Sequence, residues 1–274
     1  MTLNCKGQLI DLSTPKVMGI LNLTPDSFYD GGKYRDEIAV LHQVEKMHLD
    51  GATFIDVGAY SSRPNAEHIS ENEELKRLLP IIDMILEKFP EILISVDTFR
   101  SEVARKSVET GACVINDISA GLLDPEMLTT VASLHVPYIM MHMRGTPQTM
   151  KSLTTYDNLL KEIFHYFSER ISAARAMGII DLVVDPGFGF AKTIEQNFEV
   201  LNNLELFPQM LELPLLVGFS RKSMIYKILD STAHDALNGT TVLNTIALQK
   251  GARILRVHDV KEAMECIKLV DKLS

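Results

Sequence analysis

Eight short apolar runs, each ending in or passing directly into a glycine, a polar side chain or a charge, punctuate this chain and are separated by stretches of helical spacing. They are VMGILN ending at Asn22, TFIDVG at Gly58, ILISVD at Asp97, CVIND at Asp117, YIMMH at His142, DLVVD at Asp185, LLVGF at Phe219 and ILRVH at His258. Strands of a parallel sheet are covered on both faces and read as continuous apolar runs, and strands that alternate with helices are βα units. Eight such units predict an α/β fold, the (β/α)₈ or TIM barrel, in which chemistry sits where the strands pass into the following loops. Residues 3–12, with Lys6-Gly7 between apolar flanks, predict a short N-terminal hairpin that closes the barrel floor.

Helical spacing is expected at 38–49, 73–89, 101–110, 127–134, 159–177, 198–206, 237–250 and 260–273, with a short extra turn at 225–229. At 274 residues the whole chain, 1–274, is expected to form one barrel domain. The net charge of −9 offers no broad basic field for a nucleic-acid backbone, so a small-molecule ligand is expected. Three isolated cysteines without C-x-x-C spacing indicate neither a disulfide framework nor a structural zinc site, which points to a reducing cytoplasm. The first twelve residues lack the pattern of a signal peptide, and no apolar stretch approaches the roughly 20 residues that span a bilayer, so no membrane partner is expected.

Two loops after the first two strands, residues 23–36 and 59–73, exceed the usual two to six residues and read as binding loops. Asp97 and Asp185 end apolar runs, and Asn116 sits one residue before the end of another. Each alone could cap the following helix, but three hydrogen-bonding side chains converging on a barrel mouth suit a flat, nitrogen-rich heterocycle. No histidine lies at ligand spacing beside either carboxylate, which argues against a protein-held transition metal. FSRK after the seventh strand and RVH at the end of the eighth bring cations to the loops that form phosphate sites in many barrels. Arg256 lies inside the apolar run ILRV, where burial without a partner is costly. Gly187-Phe-Gly189 lacks the third glycine of a dinucleotide loop, and no Walker A sequence occurs. His142 carries no assigned role.

Read together, these segments resemble dihydropteroate synthases. The resemblance covers nearly the whole chain through MGILNLTPDSFYDGG (Met18 to Gly32), DVGAYSSRPNA (Asp56 to Ala66), SVDTFR (Ser95 to Arg100), INDISAG (Ile115 to Gly121), MHMRGTPQTM (Met141 to Met150), DPGFGFAK (Asp185 to Lys192), GFSRKSMI (Gly218 to Ile225) and RVHD (Arg256 to Asp259). It implies the joining of 6-hydroxymethyl-7,8-dihydropterin diphosphate to 4-aminobenzoate on a barrel, with Asp97, Lys222, Arg256 and His258 as catalytic residues. It implies that Asp97, Asn116, Asp185 and Lys222 bind the pterin ring, with Met140, Phe190 and Gly218 lining its slot. Asn22, Arg63, Arg256 and His258 would meet the diphosphate, and Asn22 the Mg²⁺ that it carries. Ser62, Arg63, Pro64, Phe190, Lys222 and Ser223 would form the 4-aminobenzoate site, and a homodimer paired through the last helices is implied.

The second loop departs from the pattern: many family members have Gly-Glu-Ser-Thr-Arg-Pro where this chain has AYSSRP, so Tyr60 replaces an acid and Ser62 a threonine. A pterin-binding methyltransferase module would share the ring contacts but hold no diphosphate, so NLTPDSF, SRK and RVH discriminate against it. A catalytically silent paralogue would be expected to lose polar ligand positions, which are intact here.

Overall fold

The computed structural model describes residues 1–23, 33–61 and 68–273. The expected hairpin is present as β1 (Thr2–Cys5) and β2 (Gln8–Asp11), turned by Lys6 and Gly7 at φ 53° and 87°. Positive φ at both central residues matches the right-handed twist of the flanking strands, and glycine adopts it without a Cβ clash.

Eight parallel strands follow: β3 (Lys16–Asn22), β4 (Phe54–Gly58), β5 (Leu93–Asp97), β6 (Val114–Asp117), β7 (Tyr138–Met141), β8 (Leu182–Asp185), β9 (Leu216–Val217) and β10 (Ile254–Val257). Strands β3 to β8 pair in chain order, β10 pairs with β3, and β9 pairs with β10. One parallel bridge, Val184 to Leu215, closes the cylinder between β8 and β9. The predicted (β/α)₈ barrel is therefore the observed fold.

Outside the barrel run α1 (Lys33–Leu49), α2 (Glu71–Lys88), α3 (Ser101–Thr110), α4 (Met127–Leu134), α5 (Leu159–Ala176), α6 (Ile194–Asn202), α7 (Leu206–Leu211), α8 (Ser223–Tyr226), α9 (Leu237–Gln249) and α10 (Val260–Val270). The expected helix at 198–206 is instead two: α6 begins four residues earlier, and α7 follows a break. The early start has a local cause. Thr193 accepts the Gln196 backbone N–H while the Gln196 side chain accepts that of Thr193, a reciprocal cap that satisfies two orphan donors before the first apolar position.

Side chains alternate along a strand, so residues two apart share the barrel interior. On the floor, Met18, Phe54, Val114, Ile139, Val183, Leu216 and Ile254 pack against Leu3, Cys5, Ile10 and Leu12 of the hairpin. Two residues further along the same strands stand Ile20, Asp56, Asn116, Met141, Asp185, Gly218 and Arg256. An apolar plug thus lies directly beneath a largely polar layer at the C-terminal ends of the strands. Thr193→Ala removes half of the α6 cap and should cost about 1 kcal/mol in urea denaturation with the barrel intact; an unchanged midpoint would mean that α6 owes nothing to this cap.

Candidate active site

The polar layer is organised around Arg256. Its Nε donates to Asp56 Oδ2 at 2.6 Å and its Nη2 to Asp97 Oδ2 at 2.8 Å. Asp56 Oδ2 also accepts from Asn116 Nδ2 at 3.0 Å, so one buried oxygen ties three strands together. Asp97 and Asn116 are in register on β5 and β6. Gly58, at the end of β4, makes room for this: a Cβ there would lie 3.2 Å from the Asp97 Cβ.

Across the mouth, the Asp185 carboxylate accepts the Gly187 N–H at 2.8 Å. Gly187 has φ +70°, and a Cβ on it would fall 2.1 Å from the His142 carbonyl oxygen, so only glycine lets this loop cross the end of β7. Lys222 Nζ donates to the Phe188 carbonyl at 2.5 Å and lies 5.1 Å from the Phe190 ring centroid. Gly218 follows β9, where a Cβ would lie against Arg256. Asn22, partly buried, ends β3 opposite Gly58, and Ser223 is the first residue of α8. His258 is held through Nδ1 by Ser220 Oγ at 2.9 Å, and its backbone N–H donates to the same oxygen.

The structure thus brings together Asp97, Asn116, Asp185, Phe190, Gly218, Lys222 and Arg256. Met140 requires a correction. It packs outward, in the layer between barrel and helices, because Ile139 takes the inward position on β7. Met141, one residue on, packs with Ala191 and Phe190 at the mouth and is the methionine placed to line a slot there. The FSRK segment also supplies fewer available cations than expected. Arg221 is engaged by both Asp259 oxygens, at 2.9 and 2.8 Å, and by the carbonyls of Ala233 and His234. The positions Ser62, Arg63 and Pro64 lie outside the described residues.

Two residues of this cluster were not singled out from sequence. Asp56 lies mid-strand in TFIDVG rather than at a strand end; its signal was a charge inside an apolar run, the same signal that marked Arg256. Lys192 follows the DPGFGF loop; its Nζ pairs with His142 Nδ1 at 3.0 Å and donates to Gly187 O at 3.0 Å and Phe190 O at 3.1 Å.

The flank of the second long loop is also anchored. Tyr60 Oη accepts from Gln148 Nε2 at 2.8 Å and pairs with His68 Nδ1 at 3.2 Å, with its ring edge-on to Phe99. Buried Glu74 binds Thr98 Oγ1 and Arg100 Nη1, and Arg100 Nη2 donates to the Ile69 carbonyl at 2.7 Å.

Burial pushes the Asp97 carboxyl up to about 7; the Arg256 cation opposes this, and the Asp56 carboxylate reinforces it. Burial likewise raises Asp185, with Lys222 opposing, and lowers Lys222 to about 8, with Asp185 opposing. Burial alone would lower Arg256, but Asp56 and Asp97 reverse that and raise it. Because folding lifts Asp97 from 3.8 to about 7, the unfolded chain gives up this proton first. Stability from this group therefore falls as pH rises through that interval and is constant below and above it. Between about pH 4 and 7 the native melting temperature should decline more steeply than that of Asp97→Asn; parallel curves would refute this.

Comparison with known proteins agrees with this geometry. The profile of the family described as pterin binding enzyme matches residues 18–258. Dihydropteroate synthase of Escherichia coli (strain K12) is 44% identical over 273 residues, covering 99% of this chain and 96% of that protein. The Yersinia pestis dihydropteroate synthase structure with a sulfonamide drug complex has a TM-score of 0.93 at 40% identity, covering 100% of this chain and 99% of its own. That of Xanthomonas albilineans dihydropteroate synthase with 4-aminobenzoic acid has a TM-score of 0.92 at 36% identity, covering 99% and 97%. With a profile match across most of its length and such relatives over nearly all of it, this chain belongs to the dihydropteroate synthases of the pterin-binding enzyme family.

Proposed function

We propose that this chain joins 6-hydroxymethyl-7,8-dihydropterin diphosphate to 4-aminobenzoate, forming 7,8-dihydropteroate and releasing diphosphate. The observation that carries the reading is the polar layer of Asp56, Asp97, Asn116, Asp185, Lys222 and Arg256 above an apolar floor. Carboxylates, an amide and an amine at fixed positions complement the donor and acceptor edges of a pterin, and the Xanthomonas relative was solved with the second substrate.

In this reading Asp97, Asn116, Asp185 and Lys222 grip the ring edge, with Met141, Phe190 and Gly218 around it. A guanidinium has five N–H groups, and Asp56 and Asp97 engage one on Nε and one on Nη2, so Nη1 is not among the nitrogens that pair with them. That edge of Arg256, together with His258, Arg63 and Asn22, is assigned to the diphosphate. Ser62, Arg63, Pro64, Phe190, Lys222 and Ser223 are assigned to 4-aminobenzoate.

The nucleophile is an aromatic amine that is already neutral near pH 7, so no strong general base is needed. The difficult step is loss of diphosphate from the pterin methylene, where positive charge grows on the ring and negative charge on the leaving group. Asp97 stabilises the former and Arg256 the latter, which favours a dissociative substitution. Asn22 offers a single amide oxygen, which suits a Mg²⁺ that arrives on the diphosphate with its other ligands from phosphate and water. When bound, that ion neutralises leaving-group charge.

A diphosphate-release assay with pterin diphosphate, Mg²⁺ and 4-aminobenzoate tests the reading. The native chain should form dihydropteroate, and Arg256→Ala and Lys222→Ala should each lose about 100-fold or more in kcat/KM. No product from the native chain overturns the synthase reading. Release that depends strictly on amine concentration in the chemical step overturns the dissociative route.

A homodimer in the cytoplasm belongs to the same proposal. Val242 on α9 and Leu269 on α10 are exposed apolar residues beside each other's helices, and Cys5, Cys113 and Cys266 are buried free thiols. Sedimentation should give a dimer that Leu269→Glu dissociates; a monomeric native chain would refute it.

A further inference from the structure

Lys192 is buried beneath the loop that carries Phe190, and its Nζ lies within hydrogen-bond distance of three groups: His142 Nδ1, Gly187 O and Phe190 O. The His142 end is rigid. Its ring stands edge-on to Tyr166 at 4.8 Å, and Tyr166 Oη donates to the carbonyls of Met141 and Ser119. The loop end has independent ties: Gly189 N–H donates to Asn197 Oδ1 at 2.7 Å, and Tyr156 Oη to the Ala191 carbonyl at 2.9 Å. Lys192 thereby links His142, just past β7, to the two carbonyls that bracket Phe188 and Gly189. Phe188 O is in turn the acceptor of Lys222. Burial pulls the Lys192 amine down to about 7, and the nearby Asp185 carboxylate opposes this by favouring its charged form.

We propose that Lys192 is a positioning residue for the pterin: it pins residues 187–190 from behind, so that the Phe190 ring, the Phe188 carbonyl that orients Lys222, and Asp185 are preset before the ring arrives. The proposal rests on the synthase reading and makes the pterin the substrate that depends most on Lys192. Its loss should weaken pterin diphosphate more than 4-aminobenzoate, because Asp185 serves the pterin alone whereas Phe190 and Lys222 serve both, a division that general destabilisation of the barrel would not produce.

The test is Lys192→Met, which keeps the aliphatic stem and removes the donors. The Kd for 6-hydroxymethyl-7,8-dihydropterin diphosphate, read from its fluorescence, and its KM should both rise about ten-fold, with the KM for 4-aminobenzoate rising by no more than about three-fold. An unchanged pterin Kd, or equal rises in both KM values, overturns the positioning role. If Lys192→Met does not fold, His142→Leu, which deletes one partner, decides: a pterin-selective rise of about three-fold or more supports the role, and a smaller one overturns it. The native chain is measured alongside, since absence of product there refutes the synthase reading itself and not the role of Lys192 within it.

Discussion

A guanidinium held between two carboxylates inside a barrel mouth is the constraint on which the site depends. Arg256 cannot be taken out of water alone, and neither can Asp56; deleting one partner of such a pair strands the other charge at a cost of about 3–5 kcal/mol. The pairing needs β4, β5 and β10 at one height, and Arg256 reaches that height because β10 is in register with β3 at Met18. The same geometry creates a conflict. Asp97 is engaged by Arg256, yet it is also an acid placed at the mouth where a heterocycle would bind. A ligand that engages Asp97 must therefore offer donors good enough to share it, which selects for a ring edge rich in N–H groups.

The barrel was legible because covered parallel strands have no polar face to interrupt their apolar runs. The strand ends were legible for the same reason: Asp97, Asn116 and Asp185 stand out against what precedes them. Arg256 was legible one step further, since a cation within ILRV demands a partner, and Asp56 and Asp97 are that partner. Asp56 escaped because it is not terminal in its run, although a carboxylate within TFIDVG makes the same demand. Lys192 gave no comparable signal, because a lysine at the close of a glycine-rich loop is ordinarily solvated, and only the fold reveals the three partners around it. Met140 and Met141 show the limit of position without direction: two adjacent methionines differ by which face of β7 they occupy, and the period of two had to be phased by Ile139 on the floor.

Away from the mouth, the fold fixes the ends of its long second loop by means that do not involve substrate. Glu74 on α2 is fully buried, and Arg100 carries its charge to the Ile69 carbonyl. Tyr60, where the resemblance to the family leads to the expectation of an acid, joins His68 and Gln148 through hydrogen bonds. An acid at position 60 would bring a second buried carboxylate near Glu74; a tyrosine keeps the linkage and adds no charge beside Arg100.

The apolar floor also shapes the electrostatics above it. Phe54, Val114, Ile139, Val183, Leu216 and Ile254 lie one inward step below the polar layer, and the hairpin seals them from beneath. The charges are therefore solvated only from the mouth, and burial pushes Asp97 upward and Lys222 downward, each toward its neutral form. A heterocycle entering from above removes that last water and replaces it with fixed hydrogen bonds. In the proposed dissociative step, charge separation along the breaking carbon–oxygen bond falls between Asp97 on the ring side and Arg256 on the leaving side, two groups bound to each other at 2.8 Å. In the reaction each exchanges part of that internal pairing for a developing charge of the substrate, and because both are held in place beforehand, little reorganisation accompanies the exchange.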